Sequence, residues 1–413
     1  MKRTQPLCAL LVILSLLAPA AMADPWPQFW GPNRDGKSAE TGLLKSWPAE
    51  GPRLLWVAQV DLGEGYSSLC VTGEAIYTTG VFGRDGYVIA MDLSGKPKWK
   101  TKYGPEWTKN FPASRTTPTF EDGRLYVMSG VGRIVCLDAA EGRELWAVDT
   151  RQAYGSQDIR WGLAESPLIC DEKVLCTPAG TKASVVALDK KTGKEIWATN
   201  VDGELGAYCS PVRIKDGRKD IVVTMLGDHT VGLETATGKL LWKTPYSGPY
   251  DVHANNPLYH AGRVYVTGGY DTGGLMLGLA EDGRSVQRLW TDLTLDCHHG
   301  GVMLIDGHLY GSNWISNAKG SWICLDWQTG KVKFDTAWSN KGTILAAEGM
   351  MYVYTEKGDV GLVRPDPSEW KVVSSFKITE GKGNHWAYPA LSNGRLYIRH
   401  GGALMAYDIR AGK

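Results

Sequence analysis

The chain has 413 residues, of which 50 are Gly, 17 Trp and 18 Tyr, with 43% apolar and 22% charged residues. That is a globular composition, neither collagen-like nor disordered, and it suits short strands and tight turns better than helices, in which each interior Gly costs about 1 kcal/mol relative to Ala. The 45 basic residues balance 44 acidic ones, which leaves no electrostatic case for nucleic acid or an anionic membrane as partner.

Residues 1–23 read as a signal peptide. Lys2 and Arg3 give a positive start, Leu7–Leu17 an apolar run, and Ala21-Met22-Ala23 a cleavage site ahead of Asp24. The run is shorter than the roughly 20 residues needed to span a bilayer, and no Cys follows the cleavage point. An exported protein is therefore expected, periplasmic or secreted, with no membrane span and no lipid anchor. The segment takes two of the 45 basic residues, leaving 43 against 44 acidic, and one of the 8 Cys, leaving an odd seven. Cys136 and Cys324 lie inside apolar strands and read as small buried hydrophobes. Cys170 and Cys176 flank one hairpin and are the pair placed for a disulfide.

An N-terminal arm, 24–53, follows. It is rich in Pro and Gly and carries Trp26, Trp30 and Trp47, too many large rings for full exposure. It is expected to be extended and packed on the surface of the domain that comes after it.

From Leu54 to Lys413 one phrase recurs: an apolar strand, a Gly hairpin, a second strand, a loop, a strand ending in Leu-Asp, a Thr-Gly-Lys turn and a short strand ending in an aromatic. Its clearest copy runs from Ala187-Leu188-Asp189 through Thr192-Gly193-Lys194 to Trp197. The closing aromatics are Trp56, Trp99, Trp146, Trp197, Trp242, Trp290, Phe334 and Phe376. The second-strand markers are Tyr77, Tyr126, Leu175, Val222, Tyr265, Tyr310, Tyr352 and Tyr397. A span of 360 residues holding eight units has a period of 45, that of a four-stranded propeller blade. The last unit stops where its fourth strand should begin, while Leu54–Val57 is a fourth strand with no blade before it. Pairing the two closes the ring and removes an exposed sheet edge. The fold expected for 54–413 is an all-β, eight-bladed propeller of four-stranded antiparallel blades.

In such a ring, the loops entering the innermost strands line the mouth of the central channel. Counting back from the second-strand markers places Gly65, Ser114, Leu163, Ala207, His253, His298, Asn340 and His385 at one register. Arg115, Glu165, Asn255, His299 and Lys341 stand beside it. Aromatics fall in the same loops: Trp107, Phe111, Tyr154, Trp161, Tyr208, Tyr250, Tyr270, Trp314 and Trp386. A polar funnel with several imidazoles could take an anion, a quinone-like ligand or a metal, with His253, His298 and His385 as candidate metal ligands. The aromatics could form a ligand- or peptide-binding rim. Against both stands an ordinary solvated rim with loop packing. No catalytic constellation can be assembled from the sequence.

The A-x-D-x-x-T-G-x-x-x-W phrase resembles the tryptophan-docking repeat of the pyrroloquinoline quinone (PQQ) dehydrogenase superfamily, which includes the BamB-like propellers that bind no quinone. The leader Trp26-Pro27-Gln28-Phe29-Trp30-Gly31 is similar to that of exported PQQ-like propellers. The resemblance implies either PQQ with calcium and a quinone- or metal-dependent periplasmic oxidoreductase, or a non-catalytic binding or assembly scaffold. Two adjacent Cys, the quinone-facing signature of the enzymes, do not occur here, and neither does a lipid-anchoring Cys of the BamB kind. The reading favoured is the scaffold. Its partner would be an envelope protein, a peptide or a glycan bound at the channel mouth, and the chain is expected to be a monomer.

Overall fold

A computed structural model describes residues 25–412. The leader read at 1–23 and Cys8 lie outside them. Eight sheets stand around one axis, each built on four antiparallel strands, in sequence order in all but blade eight. Blade one comprises Cys70–Val71, Ile76–Phe82, Asp85–Met91 and Pro97–Pro105. Blades two to seven span 119–149, 168–199, 212–245, 258–292, 302–336 and 342–377. Blade eight has Ala390–Ser392, Arg395–His400 and Ala403–Asp408.

The ring closes through the N-terminal side of the chain. Arg53–Val57 is the outermost strand of blade eight, antiparallel to its third strand, with Arg53 opposite Asp408 and Val57 opposite Met405. No helix among the described residues is long and apolar enough to cross a membrane.

Burial follows position in the blade. Inner strands are covered by neighbouring blades on both faces, so Met350–Thr355 is buried throughout. Outer strands face water on one side and alternate: Trp197 is buried while Ile196 beside it is 44% exposed.

The repeated turn joins one blade to the next. Asp189 Oδ1 accepts the N–H groups of Lys191 and Thr192, which shapes the turn of blade three. Gly193 takes φ 71°, and a Cβ there would lie 2.6 Å from the Trp146 ring of blade two. Glycine is needed both for the backbone and for the close approach. Trp146 Nε1–H in turn donates to Lys190 O at 3.1 Å. Trp56, Trp99, Trp197 and Trp242 make the same bond to the next blade's turn.

Blade seven departs from the pattern in register, although Phe376 keeps the docking contact: a Cβ on Gly51, just ahead of blade eight's closing strand, would lie 2.5 Å from its ring. Elsewhere the bulge falls just before the docking aromatic, as at Trp146 opposite Cys136. In blade seven the equivalent residue, opposite Leu362, is Ser374, and Phe376 stands two residues beyond it, opposite Val360. The arm fills the gap. Trp47 N–H donates to Ser374 Oγ at 2.9 Å, and its ring meets Phe376 at 5.5 Å between centroids.

Cys170 and Cys176, the candidate pair for a disulfide, are not joined. All seven Cys among the described residues are free and buried. Residue alternation turns the two to opposite faces of blade three. Cys170 packs with Leu175 and Trp197, and Cys176 with Val174 and Ile134.

The arm runs across the base of the ring rather than round its outside. Trp26 bridges to Val71 of blade one, and Pro27 O accepts from Phe120 of blade two. Arg34 is 3% exposed, and its guanidinium donates to Ser166 O at 2.9 Å, Pro211 O at 3.2 Å and Pro167 O, all where innermost strands begin. Trp30 Nε1–H donates to Ile344 O at 2.9 Å. Lys37–Ser38 then adds a parallel fifth strand to blade seven beside Ala346 and Ala347. The central channel is thereby closed from below.

Candidate functional site

Above that plug the channel opens as a cup of about 470 Å³. The loops entering the innermost strands supply Arg115, Trp161, Tyr208, His298, His299, Lys341 and Trp386, and the loops joining second to third strands supply Tyr270, Asn317 and Glu356. Phe29 of the arm forms part of the floor, edge-on to Tyr388 at 4.8 Å, and Tyr388 O–H donates to His299 O at 2.6 Å.

Rings form a nearly continuous belt round the wall. From Trp161 it passes to Tyr250 at 5.9 Å, Tyr270 at 5.4 Å and His298 at 4.8 Å. It continues to His299 at 4.6 Å, Trp386 at 5.7 Å and Phe111 at 5.2 Å. The geometry is mostly tilted or edge-to-face, as ring quadrupoles favour. Four mouth aromatics hold left-handed backbone: Phe111 at φ 52°, Tyr208 at 73°, Tyr250 at 69° and Tyr270 at 64°. Bulky residues avoid this region, and such strain, of order 1–3 kcal/mol each, persists chiefly at functional sites.

One polar cluster stands in the wall. Glu356 accepts from Lys341 Nζ at 2.9 Å and lies 3.3 Å from His299 Nε2. Lys341 also donates to Ser316 O at 3.1 Å and Asn317 O at 2.8 Å. Burial pushes the Glu356 carboxyl up, but His299 and Lys341 outweigh it and hold the group below the usual glutamate value. His298 is pushed well down by burial, with His299 and Lys341 acting in the same direction, and is therefore neutral. Arg115 occupies blade two's side of the wall and donates to Ala113 O at 3.0 Å and Phe111 O at 2.7 Å.

Of the residues singled out in the mouth loops, Phe111, Arg115, Trp161, Tyr208, Tyr270, His298, His299, Lys341 and Trp386 line the cup, and Tyr250 stands at its rim. The others are turned away from it. Glu165 is buried and accepts from Thr177 N–H at 2.6 Å and from the Thr177 hydroxyl, and burial raises its carboxyl to about 7. His253 is buried against Tyr246, with Nε2 3.1 Å from Gly227 O, and burial lowers it to about 4. Asn255 donates to Cys297 O at 2.5 Å and accepts from Gly301 N–H at 3.0 Å. His385 stacks on His400 at 3.7 Å with Nδ1 2.5 Å from Tyr354 Oη, and burial lowers it to about 4. Trp107 lies beneath Gly162 and borders a separate charged groove with Arg84 and Arg151. Trp314 packs behind Tyr270 at 4.8 Å, its Nε1–H on Asn317 Oδ1. Tyr154 lies in the short helix Thr150–Tyr154 and is buried.

His253, His298 and His385 are thus held in three separate surroundings. Among the described residues no group of three or more His, Cys, Asp or Glu is arranged to hold a metal ion. Calcium requires six to eight oxygen ligands, and the one carboxylate in the cup wall, Glu356, is already engaged by Lys341 and His299. The residues of the cup do not fit a calcium-held quinone.

Glu356, Asn317, Tyr66, Phe29 and Tyr388 were not singled out by register. Glu356 and Asn317 had a signal available, since their loops join second to third strands. Phe29 had none, because the arm lies outside the repeat.

The model of a protein family described as "Outer membrane protein assembly factor BamB" matches residues 84–336. An outer membrane protein assembly factor BamB of Nitrosomonas eutropha is 33% identical over 144 residues, which are 33% of this chain and 30% of that protein. A quinoprotein ethanol dehydrogenase of Pseudomonas aeruginosa is 28% identical over 163 residues, 36% of this chain and 25% of that one. The chain thus spans less than a third of the length of these curated relatives. Among solved structures, BamB from Moraxella catarrhalis superimposes with a TM-score of 0.62 at 16% identity, covering 87% of this chain and 98% of that one. The quinohemoprotein alcohol dehydrogenase from Comamonas testosteroni gives 0.70 at 13%, covering 94% and 81%. At such identities the likeness is one of fold.

Proposed function

The chain belongs to the PQQ-repeat propeller family described as the outer membrane protein assembly factor BamB, and on that premise we propose that it is a non-catalytic binding scaffold of the cell envelope whose ligand or partner seats in the channel mouth. One observation carries the reading: an aromatic-walled cup, blind at its base, whose rim rings are held in strained backbone. Proteins tolerate such strain where a shape must be kept ready for a ligand. The leader at 1–23 supports export, and the family description supports an envelope setting.

The test is photo-crosslinking. A benzoylphenylalanine replaces Ile315, which is 54% exposed on the loop that carries Asn317. The full chain is then irradiated in envelope extract. A discrete adduct that disappears when Trp161 and Trp386 are both changed to Ala is expected. No adduct, or one indifferent to those changes, overturns the reading.

The rival is a quinone- or metal-dependent oxidoreductase, since quinoprotein dehydrogenases are also among the relatives. Titration with PQQ and calcium, followed by Trp fluorescence, decides against it if emission is unchanged at micromolar quinone. Saturable quenching would move the assignment to the enzyme.

A further inference from the structure

The cup holds a charge without a counter-charge. In its wall Glu356 is matched by Lys341 and His299. Arg115, across the cavity, has only backbone carbonyls as hydrogen-bond acceptors. The carboxylate with the greatest electrostatic effect on it, Glu106, is taken up by the Tyr103 hydroxyl and the N–H groups of Trp107 and Gly130. A half-buried guanidinium facing an apolar cavity gains most from an anionic group brought to it.

A second observation concerns what lies outside the cup. Tyr250 is 49% exposed and Ile315 54%, and Leu293, where blade five passes to blade six, is 77% exposed. A small molecule seated in about 470 Å³ would leave these three in water. A protein segment entering the cup would cover them as the apolar border of an interface. The sign of the charge then fixes which part goes inside. At the rim Arg160 stacks over the Tyr250 and Trp161 rings at 4.3 and 5.1 Å, and Asp251 follows with Asp228 and Glu204 nearby. The acidic part of the segment therefore belongs in the cup with Arg115, inward of these carboxylates.

We propose that the cup receives a loop or terminus of a protein partner in which an aromatic residue adjoins an acidic one, the ring seated within the aromatic belt and the carboxylate facing Arg115. Large rings in desolvated pockets are the usual anchors of such contacts. The inference rests on the binding reading above and adds the chemistry of the partner.

The test is fluorescence polarisation with the full chain and a short fluorescein-labelled peptide carrying a Trp-Asp-Asp core in a glycine–serine frame. One comparator has Ala in place of Trp, another has Lys in place of both Asp. The core peptide is expected to bind about tenfold or more tightly than the Lys comparator, and the Ala comparator to lose binding. Arg115→Gln should reduce the acid preference to about threefold or less. Because Arg115 also ties down its loop, Arg115→Lys serves as the second variant and should keep the preference. Equal binding of acidic and basic peptides, no binding of the core peptide at millimolar concentration, or an acid preference unchanged in Arg115→Gln overturns the proposal. N-acetyl-tryptophan binding as tightly as the core peptide does so too, because it would show a small-molecule site. A photo-adduct at Ile315 without any peptide preference sinks this inference and leaves the scaffold standing. Absence of both sinks the two together.

Discussion

Trp47 of the N-terminal arm packs on Tyr352 of blade seven with 5.9 Å between ring centroids. The same kind of pair joins Trp146 to Tyr126 at 6.1 Å and Trp290 to Tyr265 at 5.6 Å, but there both rings come from one blade. The arm therefore supplies a part that blade seven lacks. Trp47→Ala is expected to cost about 3–5 kcal/mol, as for a large ring removed from a core, read as a fall in the urea midpoint. A loss under about 1 kcal/mol would show the arm to be dispensable cover.

The strained rim gives a prediction with an unusual sign. Tyr250 is 49% exposed and holds φ 69°, so it gives up little packing when truncated. Tyr250→Gly should be at least as stable as the parent and about 1 kcal/mol more stable than Tyr250→Ala, because only glycine adopts this backbone freely. Crosslinking at Ile315 should fall in both variants. If Ala and Gly are equally stable by thermal unfolding, the rim is not strained.

Glu165 makes stability depend on pH. Burial raises its folded value to about 7 from the ordinary 4.5, so the folded chain holds a proton that the unfolded chain releases. Its penalty is absent below about 4.5 and grows as pH rises through about 7. Glu165→Gln should therefore gain on the parent between pH 5 and pH 7.5 in paired urea titrations. Parallel curves would mean that the carboxyl is ionised in the folded chain, against the charge of Arg34.

Lys341 and Glu356 should behave as a unit. Lys341→Met leaves a buried carboxylate with only His299 beside it, and a loss of about 3 kcal/mol is expected, while adding Glu356→Gln should recover much of it. Glu356 is held below its usual value, so the pair's contribution is full above the ordinary glutamate range and is lost as pH falls through the lower folded value. Additive losses in the double variant, measured by urea unfolding at pH 7, would show that the two are not coupled.

The ring could be read in the sequence because docking repeats its demands: a turn that only glycine fits, and a large ring to meet it, in nearly every blade. Blade seven keeps the contact, Phe376 against Gly51, but shifts its register. Blade seven has Ser374 at the docking register, and its tryptophan comes from 327 residues away, so no local pattern could point to it. In the cup, the first-strand loops have a register, and it reached Arg115, His298 and Lys341. Register fixes where a residue sits along the axis but not which way its side chain turns. His253 and His385 share the register of His298 yet point into neighbouring loops. Phe29 reaches the floor from outside the repeat.

The strand that closes the ring also sets the order in which the molecule can be finished. Arg53 and its partner Asp408 lie 355 positions apart, so the earlier segment must wait until the later one has been made before it can pair. Joining ends so far apart carries an entropic cost of about 5 kcal/mol in an unstructured chain, and less once intervening blades have formed. Blades built from adjacent strands can fold as they appear, whereas the floor of the cup and the seam within blade eight must come late. A chain cut short during synthesis would then retain most of its blades while leaving its arm, its seam and its binding cup unmade.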